Sequence, residues 1–179
     1  MKNFIKLCFG SLLLAGLVGC AGYRWTSDVP EESRTISVPV FENRTHAAEI
    51  GPIATQYLLR ELQREGTFQI RRSGDATIEI QGSIVKASRG ALSYDRSYGT
   101  RANSYVYRVT AEISVIDKDA GKVLLDGRKY TAETTFLSGN DLLTGQRDAA
   151  QRIGQDLARQ IVDDLTAWSF GKQGKQGSK

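Results

Sequence analysis

Tyr105-Val106-Tyr107-Arg108-Val109-Thr110-Ala111-Glu112-Ile113-Ser114-Val115-Ile116 decides the fold. Tyr105, Tyr107, Val109, Ala111, Ile113 and Val115 fall on one face at a spacing of two, so the stretch reads as a half-buried strand. Upstream, Thr77 to Ala87 sets Ile78, Ile80 and Ile84 on one face and Thr77, Glu79, Gln81 and Ser83 on the other. Downstream, Val123 to Thr135 reads as a third strand, although Leu124, Lys129 and Tyr130 sort less cleanly. Asp117-Lys118-Asp119-Ala120-Gly121 joins the last two, with Gly121 free to take the positive φ of a hairpin loop. The three strands form an antiparallel meander with one face buried.

Two amphipathic helices flank the meander. Ile50 to Glu65 carries Ile50, Ile53, Ala54, Tyr57, Leu58 and Leu62 at spacings of three and four. Pro52 suits a first helical turn and Gly66 a C-terminal stop. Asp148 to Trp168 carries Ala150, Ile153, Leu157, Ile161, Leu165 and Trp168, one stripe over five turns. Asp163-Asp164 reads as a solvated face of this helix. Earlier, Thr35 to Phe41 alternates as a strand with Ile36, Val38 and Val40 on one face. Pro39 cannot donate to a ladder, which puts that strand at an edge or turns its amide side outward. Phe41 to Thr45 reads as a loop, Phe68 to Arg71 as a short strand, Ser73-Gly74-Asp75 as a turn, and Leu137 to Asn140 as a break. The expected fold is α/β (α+β): a two-layer sandwich, both helices on one face of a mainly antiparallel sheet of four to five strands.

The chain opens with Lys2 and Lys6, then an apolar run from Leu12 to Val18, then Gly19-Cys20. That is the layout of a secretory signal. Lys6 to Gly19 holds only about 13 mostly apolar residues, against the roughly 20 of a membrane-spanning helix. Leu17-Val18-Gly19-Cys20 resembles the lipobox of bacterial lipoproteins. The resemblance implies cleavage before Cys20, a diacylglyceryl thioether on its sulfur and a third acyl chain on the new amino terminus. The organisation that follows is a lipoprotein signal peptide over 1–19, a lipidated tether over 20–34, a single α/β domain over 35–170 and a disordered basic tail over 171–179.

Cleavage leaves 160 residues and removes Cys8, so the mature domain has no cysteine beyond Cys20 and no disulfide. It also removes Lys2 and Lys6, taking Lys+Arg from 24 to 22 against 20 Asp+Glu. A mature charge of about +2 does not call for nucleic acid. His46 is the single histidine and sits in a polar stretch. The sequence holds no Cys/His cluster for zinc, no Gly-rich loop ending in Lys-Ser/Thr, and no Gly-x-Ser-x-Gly elbow. Asp117 and Asp119 lack the other ligand positions of a calcium loop and read as a hairpin turn. No enzyme, metal site or cofactor is expected, apart from the covalent lipid on Cys20.

Strand order gathers charge at one end. Thr77 to Ala87 leads into a long loop, Ser88 to Ser104, and Val123 to Thr135 runs parallel to it and leads into Leu137 to Arg147. Both segments therefore share an end that carries Arg89, Arg96, Arg101 and Arg147 with Tyr94 and Tyr98. Arginine forks pair bidentately with phosphate or carboxylate.

Cys20-Ala21-Gly22-Tyr23, Ile36-Ser37-Val38-Pro39-Val40-Phe41-Glu42-Asn43-Arg44-Thr45 and Tyr57-Leu58-Leu59-Arg60-Glu61-Leu62 are similar to the LPS-assembly lipoproteins, the LptE family. So are Leu92-Ser93-Tyr94-Asp95, Tyr107-Arg108-Val109-Thr110 and Asp117 to Leu124. The order and spacing of these motifs over about residues 20–168 carry the resemblance. Ala21 departs from it, since many members have Gly directly after Cys. The resemblance implies an outer-membrane lipoprotein on the periplasmic face that plugs and helps assemble the LptD β-barrel translocon and binds lipopolysaccharide. It also implies lipid-contacting basic residues in the Ser88–Ser104 region and near the last helix. Arg96 and Arg147 are the nearest matches, and with Arg101 they form the expected site. Val38 to Asn43 followed by an amphipathic helix also looks like lipoproteins that activate peptidoglycan synthases or assemble secretion pores, which is the alternative.

Overall fold

The computed structural model describes residues 35–94, 102–137 and 141–173, with backbone alone for 168–173. The elements are β1 (Thr35–Ser37), β2 (Glu42–Asn43), α1 (Ile50–Glu65), β3 (Gln69–Ile70), β4 (Ile78–Tyr94), β5 (Ala102–Asp117), β6 (Lys122–Leu137) and α2 (Leu142–Gln173). They form one six-stranded sheet in the order β3-β1-β4-β5-β6, with β2 also beside β4. The two helices pack on one another and on one face of the sheet. The expected α+β sandwich is present, with six strands rather than four to five.

The β4–β5–β6 meander is antiparallel throughout. Tyr107, Val109, Ala111, Ile113 and Val115 of β5 are all buried, as their alternation requires. The opposite face is polar and carries an Arg108–Glu133 ion pair and a Thr110–Thr131 hydroxyl bond of 3.0 Å. Ala120 N–H donates to Asp117 Oδ1 at 2.9 Å, and Gly121 has φ +59, which closes the hairpin. The less regular sorting of β6 has a local cause. Gly127 takes φ +56 and its N–H donates to Ser114 Oγ at 3.0 Å. The register passes there from Ile113 opposite Arg128 to Val115 opposite Leu125, a bulge that shifts the phase of the strand. Leu124 and Leu125 are therefore both half-buried, while Tyr130, Ala132 and Phe136 point inward beyond it.

The first strand differs from expectation. β1 is not at an edge; it lies between β3 and β4, parallel to both. Its ladder stops at Ser37, and Pro39 falls in the gap before β2 resumes pairing with β4. Five steps separate Ser37 from Glu42 against four between their partners Glu79 and Ser83. The extra residue reverses the phase: Val40 is 69% exposed, and Phe41 is buried in its place. The Phe41 ring lies over Gly82, where any Cβ would come within 2.4 Å of it. Phe41 N–H donates to Thr55 Oγ1 of α1 at 2.9 Å, so one residue joins sheet and helix.

The region Ser88–Ser104 is mostly strand rather than loop. Pairing between β4 and β5 continues from Ser88 opposite Arg108 to Tyr94 opposite Ala102. Ser88 to Tyr94 is exposed on both sides, so it shows none of the alternation by which a half-buried strand is read.

α1 has the expected bounds, and Gly66 ends it at φ +79 with its N–H on Leu62 O. α2 is longer than 148–168 at both ends. Asp141 begins it, its carboxylate accepting from Leu143 N–H at 2.9 Å and from the Thr144 hydroxyl. It runs through Gln173, so the first three residues of the expected tail are helical. Its buried stripe is Ala149, Ala150, Ile153, Leu157, Ala158, Ile161, Val162 and Leu165. The side chain of Trp168 lies outside the described residues. A Cβ on Gly154 would meet Ile53 Cγ2 at 2.8 Å, which shows how closely the two helices approach. No helix among the described residues is long and apolar enough to cross a membrane.

Asp163 is exposed, but Asp164 is not simply solvated. It accepts from Tyr130 Oη at 2.6 Å and pairs with Arg128 at 2.9 Å. Burial, and then this hydrogen bond to Asp164, hold the Tyr130 phenol well above its ordinary pKa. Asp164→Ala leaves a largely buried hydroxyl without its acceptor and should cost about 1–3 kcal/mol. Asp163→Ala should stay within about 0.5 kcal/mol. Paired urea melts of the two variants measure the difference.

Candidate functional site

The ends of β4 and β6 and the start of α2 lie at one end of the sheet, the end expected to be basic. Arg89 stands opposite Tyr107 in the β4–β5 ladder, on the helix-covered face. Its guanidinium lies over the Tyr105 ring, 5.5 Å from the centroid, and donates to Gln146 Oε1 in α2. Arg147 follows Gln146 and is exposed. The structure thus brings Arg89 together with the Gln146–Arg147 turn. Arg96, Arg101 and Tyr98 lie outside the described residues. Asp141 begins the helix at this end, its carboxyl held below the usual range by the Thr144 hydroxyl and Leu143 N–H, with a smaller contribution from the charge of Arg147.

The cations are only half of this end. Leu92 (59% exposed), Tyr94, Leu137 (72%) and Leu143 are large apolar side chains open to solvent, and all belong to these strand ends or to the first turn of α2. Sequence reasoning included Tyr94 and passed over the three leucines. A leucine inside a stretch read as loop or break has no period to mark it.

Between this end and the Arg44–Ala47 loop runs a cleft of about 470 Å³ bordered by Arg44, His46, Lys86, Arg89, Tyr107 and Gln146. Arg44 is engaged by Glu42 at 2.8 Å, and that pair pulls the Glu42 carboxyl below its usual value. The Tyr107 hydroxyl is buried without a hydrogen-bond partner. Burial raises the Tyr107 pKa, Glu49 adds to the rise, and Arg89 opposes it.

At the opposite end Lys118 pairs with Glu79 at 3.4 Å and Asp117 serves the hairpin. Among the described residues no group of three His, Cys, Asp or Glu is placed to hold a metal ion. The basic end offers guanidinium forks beside exposed apolar side chains. That combination suits a molecule with an anionic head and hydrocarbon chains.

The family model described as lipopolysaccharide-assembly, LptE, matches residues 33–165. No curated protein matches the sequence. Among solved structures, a Caulobacter crescentus protein described as a lipoprotein is similar at 19% identity and TM-score 0.56, covering 79% of this chain and 93% of its own. A minor lipoprotein of Acinetobacter baumannii is similar at 15% identity and TM-score 0.52, covering 75% and 94%. The rare lipoprotein B of Shewanella oneidensis is similar at 13% and 0.52, covering 78% and 98%. At these identities the structures attest the shared fold.

Proposed function

Because the chain belongs to the lipopolysaccharide-assembly family LptE, we propose that it is the lipid-anchored partner of an LptD β-barrel translocon. It sits on the periplasmic face of the outer membrane, held by acyl chains on Cys20. There it plugs the barrel, assists its assembly and binds lipopolysaccharide during delivery to the cell surface. The role is one of binding and scaffolding rather than catalysis.

One observation carries the lipid-handling part: Arg89 and Arg147 share an end with exposed Leu92, Tyr94, Leu137 and Leu143. Lipopolysaccharide has phosphates for the first set and acyl chains for the second. The site residues are Arg96, Arg101 and Arg147. Arg96→Glu with Arg147→Glu should weaken lipopolysaccharide binding roughly tenfold or more, since each charge-assisted bond contributes about 1.5–3 kcal/mol. Lysine at both positions should give a partial loss, because an ammonium cannot make the bidentate contact. Added salt should weaken the remainder. The fold should survive the change at Arg147, which lies outside the buried core, and barrel co-purification is read as the control. Lipid binding and co-purification are read on the same preparations. A double Glu variant that binds lipid as the wild type does would remove the lipid role and leave the plug role standing.

A further inference from the structure

The two outer edges of the long meander are treated differently. Along β6, side chains of α2 reach over and occupy the edge: Arg152 donates to Thr135 O at 3.2 Å and Gln160 to Thr131 O at 3.3 Å. Along β4, β1 covers Ile78–Glu79 and β2 covers Ser83–Ile84, and Arg44 N–H on Ile84 O is the last bond. From Val85 to Tyr94 no strand among the described residues pairs with that edge, although the other edge of the same segment is laddered to β5. The ladder to β5 shifts register at Val85 and again between Ala91 and Tyr94, and between those shifts, over Lys86–Ala91, alternate residues turn N–H and C=O outward over roughly 17 Å, a template for one more short strand.

We propose that the Val85–Tyr94 edge is a docking surface for an extended, acidic strand of a partner protein, added beside β4. The charge of the edge selects the occupant. Val85 to Tyr94 contains Lys86 and Arg89 and no carboxylate. Arg44 and Glu42 beside this edge pair with one another, so neither adds net charge to it. A second copy of this chain would bring the same cations to the same edge, and like charges placed across an interface cost affinity.

The test uses the full-length lipoprotein in detergent and a probe octapeptide of alternating valine and glutamate. Hydrogen–deuterium exchange should slow in Val85–Tyr94 when the peptide is added and stay unchanged in Lys122–Leu137. The same peptide N-methylated on alternate nitrogens should give no protection, because strand addition needs those donors. A valine–lysine peptide should bind about tenfold or more weakly, and Lys86→Glu with Arg89→Glu should reverse that preference. Equal protection by the N-methylated peptide, protection at β6, or none at Val85–Tyr94 would overturn the proposal. Concentration-dependent protection of Val85–Tyr94 without peptide would also overturn it, making a second copy the occupant.

Discussion

Leu157→Asp should leave the domain largely unfolded at room temperature. Leu157 has no solvent exposure and sits mid-helix in α2, within the core shared with the sheet and α1. Removing a buried leucine side chain alone costs about 2–5 kcal/mol. The aspartate then places a carboxylate where it has no partner, adding several kcal/mol more or forcing it to take up a proton. Against a domain stability of about 5–15 kcal/mol, that sum removes most or all of the margin. Arg159→Asp, on the exposed side of the same helix, is the control and should shift the melt only slightly. Thermal melts followed by circular dichroism decide it. A Leu157→Asp variant that melts with the wild type would mean that the stripe does not face the sheet.

Cys20→Ala should abolish attachment to the membrane through acyl chains. On the proposed reading the anchor rests on one thiol, and each buried methylene of its acyl chains would contribute about 0.8 kcal/mol, so losing two or three chains would remove stable binding. Labelling with a fatty-acid analogue should mark the wild type and miss the variant, and flotation should move the variant from the membrane fraction to the soluble one or leave it uncleaved. Its thermal melt should match the wild type's, because Cys20 precedes every element among the described residues. Equal labelling of the two would sink the lipobox reading.

The parts of the fold that sequence revealed are those where burial alternates with a fixed period. Val109, Ala111 and Ile113 alternate because β5 is central and has one covered face. Leu157 and Ile161 repeat at helical spacing because α2 has one covered side. Reading failed where the phase slips. Pro39 and one extra residue exchange Val40 for Phe41, and Gly127 folds a bulge into β6; neither event is visible in an average over a window. It failed again where burial stops altogether, so the paired but exposed Ser88–Tyr94 looked like loop. Of the expected lipid site, Arg147 was legible because strand direction fixes which end it occupies. Arg89 was legible for the same reason, but its contact with Gln146 needed the packing of α2 on the sheet.

The pairing of α1 with α2 also has a consequence for biogenesis. A chain grows from its amino terminus, so α1 with its buried Ile50, Ala54, Leu58 and Leu62 is made long before the helix that covers it, which begins only at Leu142. β1 and β2 likewise wait for Ile78–Ile84. The hairpins of the meander form from neighbouring residues, whereas closing the core is the last event and depends on the last long element. A nascent chain halted before Leu157 would leave open the parts of β5, β6 and α1 that the rest of α2 covers. The chain must therefore be kept from aggregating until its final turns have arrived.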